Sequence, residues 1–157
     1  MNQQELSHAL RKEAIKNGHA VQTLASGYSM FPFLRNGDLL TVEPVSMDKI
    51  KRGDVVVFES EEKWIAHRLI KIRSNAEGLE FLLRGDTCVT LDPPVNKENF
   101  IGVVYEYYRL GKQRKTNGVS RKLWTKLILI KFTMYPLVAR VHLRIHQFYL
   151  IQLNGLK

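Results

Sequence analysis

The residues from Ala20 to Tyr108 restrict the fold of this chain more than any others, because short apolar runs follow one another with turn residues between them and leave no interval long enough for a crossover helix. Val21 to Ser26, Asp38 to Glu43, Asp54 to Phe58, Lys63 to Arg73, Leu79 to Leu83 and Phe100 to Tyr108 are rich in β-branched and aromatic side chains, as strands are. Parallel neighbours need a connection of a dozen or more residues, so strands this closely spaced return through hairpins and loops, not βαβ units. The fold class is mainly β. Asn36-Gly37-Asp38, Arg52-Gly53-Asp54 and Arg84-Gly85-Asp86 repeat one turn chemistry: a residue free to take positive φ, then a carboxylate able to bond nearby amides. The first two read as corners between strands. Two of the three spell Arg-Gly-Asp, but without an export signal or a disulfide an adhesion role is set aside.

The flanks differ from this middle. Residues 1–18 form an N-terminal helix unit in which Leu6, Leu10 and Ala14 recur at helical spacing before Gly18 stops the helix; they hold no apolar run of signal-peptide length. Residues 19–108 form the β domain and 109–122 a polar, basic linker. A C-terminal helical tail follows over 123–157, with its two halves joined at Pro136. The net charge of +9 belongs to the end of the chain: Arg109 to Lys157 holds eleven Lys or Arg and no Asp or Glu, leaving thirteen basic and fifteen acidic side chains before it. Such a tail suits an anionic partner, a membrane surface before nucleic acid. Trp124, Phe132 and Tyr135 stand among Leu and Ile and are not interleaved with arginines as a base-stacking platform requires. Between Leu123 and Val141, nine Leu, Ile, Val or Phe residues favour insertion by roughly 3 to 5 kcal/mol, while Lys126, Lys131 and Arg140 oppose it by roughly 7 to 10. The tail is therefore expected to lie on a membrane surface or fold over the domain, with the cytoplasmic side as the default in the absence of an export signal. His142 and His146 have the spacing of a two-histidine metal site but no carboxylate beside them, and the single Cys88 excludes an intrachain disulfide and a multi-cysteine metal site. No metal or cofactor is expected.

Ser26-Gly27-Tyr28-Ser29-Met30-Phe31-Pro32 carries the chemistry. Gly27 permits a sharp turn and close approach of a substrate backbone, and Pro32 opposes a helix through the segment, so Ser29 is expected at a strand-to-loop corner. A serine hydroxyl needs a base to become a nucleophile. His67, in Trp64-Ile65-Ala66-His67-Arg68-Leu69-Ile70, shares a strand face with Ile65 and Leu69 while Arg68 points the other way. Alone, such a histidine is usually a hydrogen-bonded core residue; beside Ser29 it reads as the general base. A carboxylate would fix its tautomer, and Asp92, stiffened by Pro93 and Pro94, ranks ahead of Asp86, which follows Gly85 and can be spent on its own turn.

Ser29-Met30-x-Pro32, Gly37-Asp38, Gly53-Asp54-Val55-Val56-Val57-Phe58, His67-Arg68 and Gly85-Asp86 with Asp92 six residues on, in that order, resemble the boxes of the signal peptidase I and LexA-like serine peptidase superfamily over about residues 22–106. The resemblance implies a coiled β-sheet fold and endopeptidase activity with Ser29 as nucleophile, acting on a precursor peptide. It is nearest the endoplasmic-reticulum and archaeal type, where serine pairs with histidine and the aspartates correspond to Asp86 and Asp92, whereas most bacterial members place a lysine at the position of His67. Many members have a serine two positions before the nucleophile to help hold the oxyanion; here Gly27 stands there, leaving the Ser29 amide as the first donor and Ser26 as a weaker one, with Met30 beside them on the substrate-binding side. The alternative is a non-catalytic, regulatory member that keeps the peptide groove for binding.

Overall fold

The computed structural model of the chain describes residues 3–76, 78–116, 122–131 and 134. Pro136, His142 and His146 lie outside the described residues, as does most of the expected tail. A helix, α1 (Gln3–Lys16), leads into β1 (Val21–Leu24), β2 (Leu39–Glu43), a 3-10 turn at Met47–Lys49, β3 (Val55–Ser60), β4 (Lys63–Asn75), β5 (Gly78–Arg84), β6 (Phe100–Arg109) and β7 (Lys112–Lys115). A second helix, α2, covers 122–131. Among the described residues no helix is long and apolar enough to cross a membrane.

Among the described residues, all seven strands join one antiparallel sheet in the order β1-β2-β6-β3-β4-β5, with β7 added to β6. Along one edge of β6 the partner changes: Phe100 to Val103 face β3, and Glu106 to Arg109 face β7. Register shifts at Thr41/Val42, Val57/Phe58 and Leu69/Lys71 coil the sheet. β3 explains the run Val55-Val56-Val57-Phe58, since it is buried on both faces. Val55 and Val57 join a core with Phe33, Leu40, Val42, Val104 and Tyr107, and Val56 and Phe58 join a second core with Leu69, Phe81, Leu83 and Val95. Strict alternation of apolar and polar residues belongs to half-buried strands, so its absence here follows from two-sided packing.

Three local differences from the sequence reading have physical causes. β7, inside the stretch read as a linker, is exposed at all four residues and therefore lacks an apolar signature; the Leu110-Gly111 turn and the pairing with Glu106 to Arg109 make it a strand. The β3–β4 hairpin turns on Glu61 and Glu62, both at positive φ, without glycine or asparagine to mark it. In α1 only part of the expected apolar stripe packs: Leu6 and Leu10 are exposed, whereas Ala14 lies against the core beside the buried Ile15, and His8 and Arg11 lie against the Trp64 ring. Gly18 does end the helix, at φ +83, with the His19 amide donating to the Ala14 carbonyl.

Candidate active site

The loop from Ala25 to Asp38 delivers Ser29, and it is pinned at both ends. Asp38 accepts the Arg35 amide (2.8 Å) and receives Arg109 through Nε (2.8 Å) and Nη2 (2.5 Å), while Arg109 also donates to the Phe33 carbonyl (3.0 Å). Bonding to the Asp38 carboxylate, against the smaller cost of burial, raises the Arg109 pKa above its ordinary value, so this clamp stays charged. Nearer the serine, the Thr87 amide donates to the Ser29 carbonyl (2.9 Å) and the Thr87 hydroxyl lies 3.1 Å from the same oxygen. Gly85 is required there for space: a Cβ would stand 2.8 Å from the Ser29 carbonyl oxygen and 2.7 Å from the Cys88 sulfur.

Strand β4 brings His67 to this loop, with Nε2 2.9 Å from Ser29 Oγ and Nδ1 2.7 Å from Asp92 Oδ2. A carboxylate can only accept, which assigns the ring proton to Nδ1 and leaves Nε2 as the acceptor of the Ser29 O–H. Asp92 holds its place because the chain after the Gly85 turn comes back beside β5: the Asp92 amide donates to the Leu83 carbonyl (2.9 Å) and Val95 bridges Phe81 in both directions. The imidazole is 7% exposed and packs on Phe58 in a tilted arrangement, with ring centroids 6.1 Å apart. The result is a Ser-His-Asp chain with one open end.

Asp86 goes elsewhere. Its two oxygens each take a 2.7 Å bond from Arg68, through Nε and Nη2, in a pair whose side chains are fully buried. Thus Asp86, named beside Asp92 from sequence, is not a partner of His67, because Arg68 stands one residue along β4, on the opposite face and over the Phe33 ring at 4.4 Å, and claims it. That pairing was detectable in principle: an arginine inside an apolar strand needs a buried anion. Ser26 and Gly27 are exposed beside the serine, and Gly27 takes φ +83 with its amide on Asn36 Oδ1 (3.2 Å). The Ser29 amide has no partner among the described residues. Met30 is buried in the core and shows one side to a cavity of about 330 Å³ that runs from β1 (Thr23, Leu24) past Gly27 and Ser29 to Trp64, Ala66 and His67 on β4.

Residues 2–82 match the family model described as Peptidase S24-like. The chain belongs to the Peptidase S24-like family. The matched span includes Ser29 and His67 and stops short of Asp86 and Asp92. The chain is also similar to the signal peptidase complex catalytic subunit SEC11C of Homo sapiens and of Mus musculus, at 37% identity over 73 residues, covering 45% of this chain and 38% of each relative. With signal peptidase I W of Bacillus subtilis (strain 168) the identity is 29% over 85 residues, 52% of this chain and 44% of the relative. The chain spans less than half the length of the curated relatives it matches. These similarities put the Peptidase S24-like chain in the signal-peptidase and LexA-like superfamily, on the side of the endoplasmic-reticulum type, and the antiparallel sheet with its N-terminal helix is the fold that goes with it.

Proposed function

We propose that this Peptidase S24-like protein is a serine endopeptidase that cleaves a precursor peptide bound in extended form. The observation that carries the reading is the pair of contacts on His67, 2.9 Å to Ser29 Oγ and 2.7 Å to Asp92. Ser29 Oγ attacks the scissile carbonyl carbon as its proton passes to His67 Nε2, and the carbonyl oxygen, now negative, takes a hydrogen bond from the Ser29 amide. Collapse breaks the C–N bond, with His67 returning the proton to the leaving amine; water then attacks the acyl-serine by the same route. Asp92 holds the tautomer and stabilises the imidazolium. With Gly27 in place of a hydroxyl donor, the oxyanion depends on backbone amides, and one absent donor corresponds to roughly 3 to 4 kcal/mol of barrier. β1 is an edge strand that also lines the cavity, so a peptide can extend the sheet there, with side chains alternating towards the cavity.

An anionic membrane surface fits the end of the chain. On α2 the exposed apolar residues Leu123, Leu127 and Ile130 recur at helical spacing, with exposed Lys122 and Lys126 nearby. The deciding experiment incubates wild type, Ser29→Ala and His67→Ala with a peptide library and reads the products by mass spectrometry. Cleavage by wild type and none by either variant is expected; cleavage retained in Ser29→Ala refutes the reading. Peptide binding without any cleavage by wild type would instead leave the regulatory member, which Gly27 favours.

A further inference from the structure

We propose that α2 is a positioning element for the Ser29 site, acting through Thr125 and Lys131 on the buried Arg68–Asp86 pair; this rests on the proteolytic reading above. Arg68 is 0% exposed, so every donor on its guanidinium must find an acceptor inside the protein. Nε and Nη2 take the Asp86 carboxylate, while Nη1 donates to the Gly53 carbonyl and to Thr125 Oγ1, each at 2.9 Å. Thr125 is the one acceptor in this set that comes from outside residues 53–86. Its methyl group occupies the space over Gly53, where a Cβ would lie 2.4 Å from Thr125 Cγ2, so the helix seats on bare backbone. Two longer contacts reach Asp86 from the same helix: Trp124 Nε1 donates to Oδ2 (3.4 Å) and Lys131 Nζ to the main-chain oxygen (3.4 Å).

Asp86 is followed by Thr87, whose amide and hydroxyl hold the Ser29 carbonyl, and Arg68 is preceded by His67. The helix therefore grips both members of a buried pair whose sequence neighbours hold the nucleophile and supply its base. Remove the Thr125 hydroxyl and a buried guanidinium N–H loses its acceptor. The pair must then turn or admit water, and the Asp86–Thr87 turn moves with it. The outward stripe of α2 is exposed, so these inward contacts, with Ile128 buried beneath the helix, are what keep it seated. Thr125 touches none of the reacting groups; its influence passes through Arg68.

The full chain carries the test. Thr125→Val keeps the shape and removes the acceptor, Thr125→Ser keeps the acceptor, and Lys131→Gln alters an exposed side chain at the other contact. Amide hydrogen exchange at Thr87, relative to Val42 in the β2–β6 ladder, reads the turn without requiring activity. Peptide-cleavage kinetics read the nucleophile. Thr125→Val is expected to speed Thr87 exchange about tenfold relative to Val42 and to lower kcat about tenfold with KM within about twofold. Thr125→Ser should stay near wild type, and Lys131→Gln should move both readouts less and in the same direction. The proposal is overturned by Thr87 exchange within twofold of wild type, by Thr87 and Val42 rising together, by faster exchange with kcat unchanged, or by Thr125→Ser behaving like Thr125→Val. Should Thr125→Val not fold, the same exchange ratio in Lys131→Gln decides. Equal cleavage by wild type and Ser29→Ala would sink the proteolytic reading alone, because the exchange ratio is measured independently of it.

Discussion

Replacing Gly85 with alanine tests how tightly the serine is placed. The backbone there lies outside the left-handed region, so alanine meets no conformational penalty and the effect is steric. The new methyl would stand 2.8 Å from the Ser29 carbonyl oxygen, 3.0 Å from Ser29 Cβ and 2.7 Å from the Cys88 sulfur. Ordinary contact begins near 3.4 Å, so the Ser29 main chain must retreat by about 0.6 Å. That movement opens the Thr87–Ser29 bond from 2.9 Å and carries Ser29 Oγ away from His67. Misplacement by 1 Å can cost about 10² in rate, so a loss of roughly 10- to 100-fold in kcat is expected, with overpacking costing about 1 to 3 kcal/mol of stability. The assay is kcat and KM on a cleaved peptide beside a urea unfolding curve. Adding Cys88→Ala relieves the thiol contact but not the backbone one, so the double variant should recover little activity. Gly85→Ala with kcat within twofold of wild type, or full recovery in the double variant, would refute this account of the loop.

The two aspartates should separate activity from stability. Asp92→Asn is expected to lower kcat by roughly 10⁴ while unfolding within about 1 kcal/mol of wild type, since it disturbs the His67 tautomer and little else. Asp86→Asn leaves a buried arginine short of a counter-charge and should cost about 3 to 5 kcal/mol, read as a lower urea midpoint. At the β3–β4 turn, Glu61→Asn with Glu62→Gly relieves two positive-φ residues and should raise stability by about 1 kcal/mol; no gain would mean that the turn is held by something other than its own backbone. Leu127→Gln with Ile130→Gln should weaken sedimentation with anionic vesicles several-fold, and added salt should weaken wild-type binding; equal binding by the variant would exclude the apolar stripe as the contact.

Much of this was legible in the chain. The six strands expected from apolar runs are present within a few residues, because each run has a turn residue at its edge: Asp38 and Asp54 do bond amides three residues back, with Gly37 and Gly53 at positive φ. Ser29 and His67 were identifiable as types that work together, but what places them is long-range. In the sequence Pro93 and Pro94 single out Asp92, whereas the structure holds it by running residues 92–95 along β5, a contact with no local signature. Gly53 looked like a turn glycine and is one, yet it also seats α2 from more than seventy positions away, which no reading of its neighbours could suggest. β7 was invisible because Lys112, Gln113, Arg114 and Lys115 bury nothing.

The chain has two tryptophans, and they report on different things. Trp64 stands in the cavity wall against His8 and Arg11, and Trp124 sits on α2 with its indole towards Asp86. Keeping one indole at a time, with phenylalanine at the other position, yields two intrinsic fluorophores. Emission from the first follows arrival of a peptide beside Ser29, and emission from the second follows lifting of the helix, so the order of the two events can be timed by stopped flow without attaching a dye.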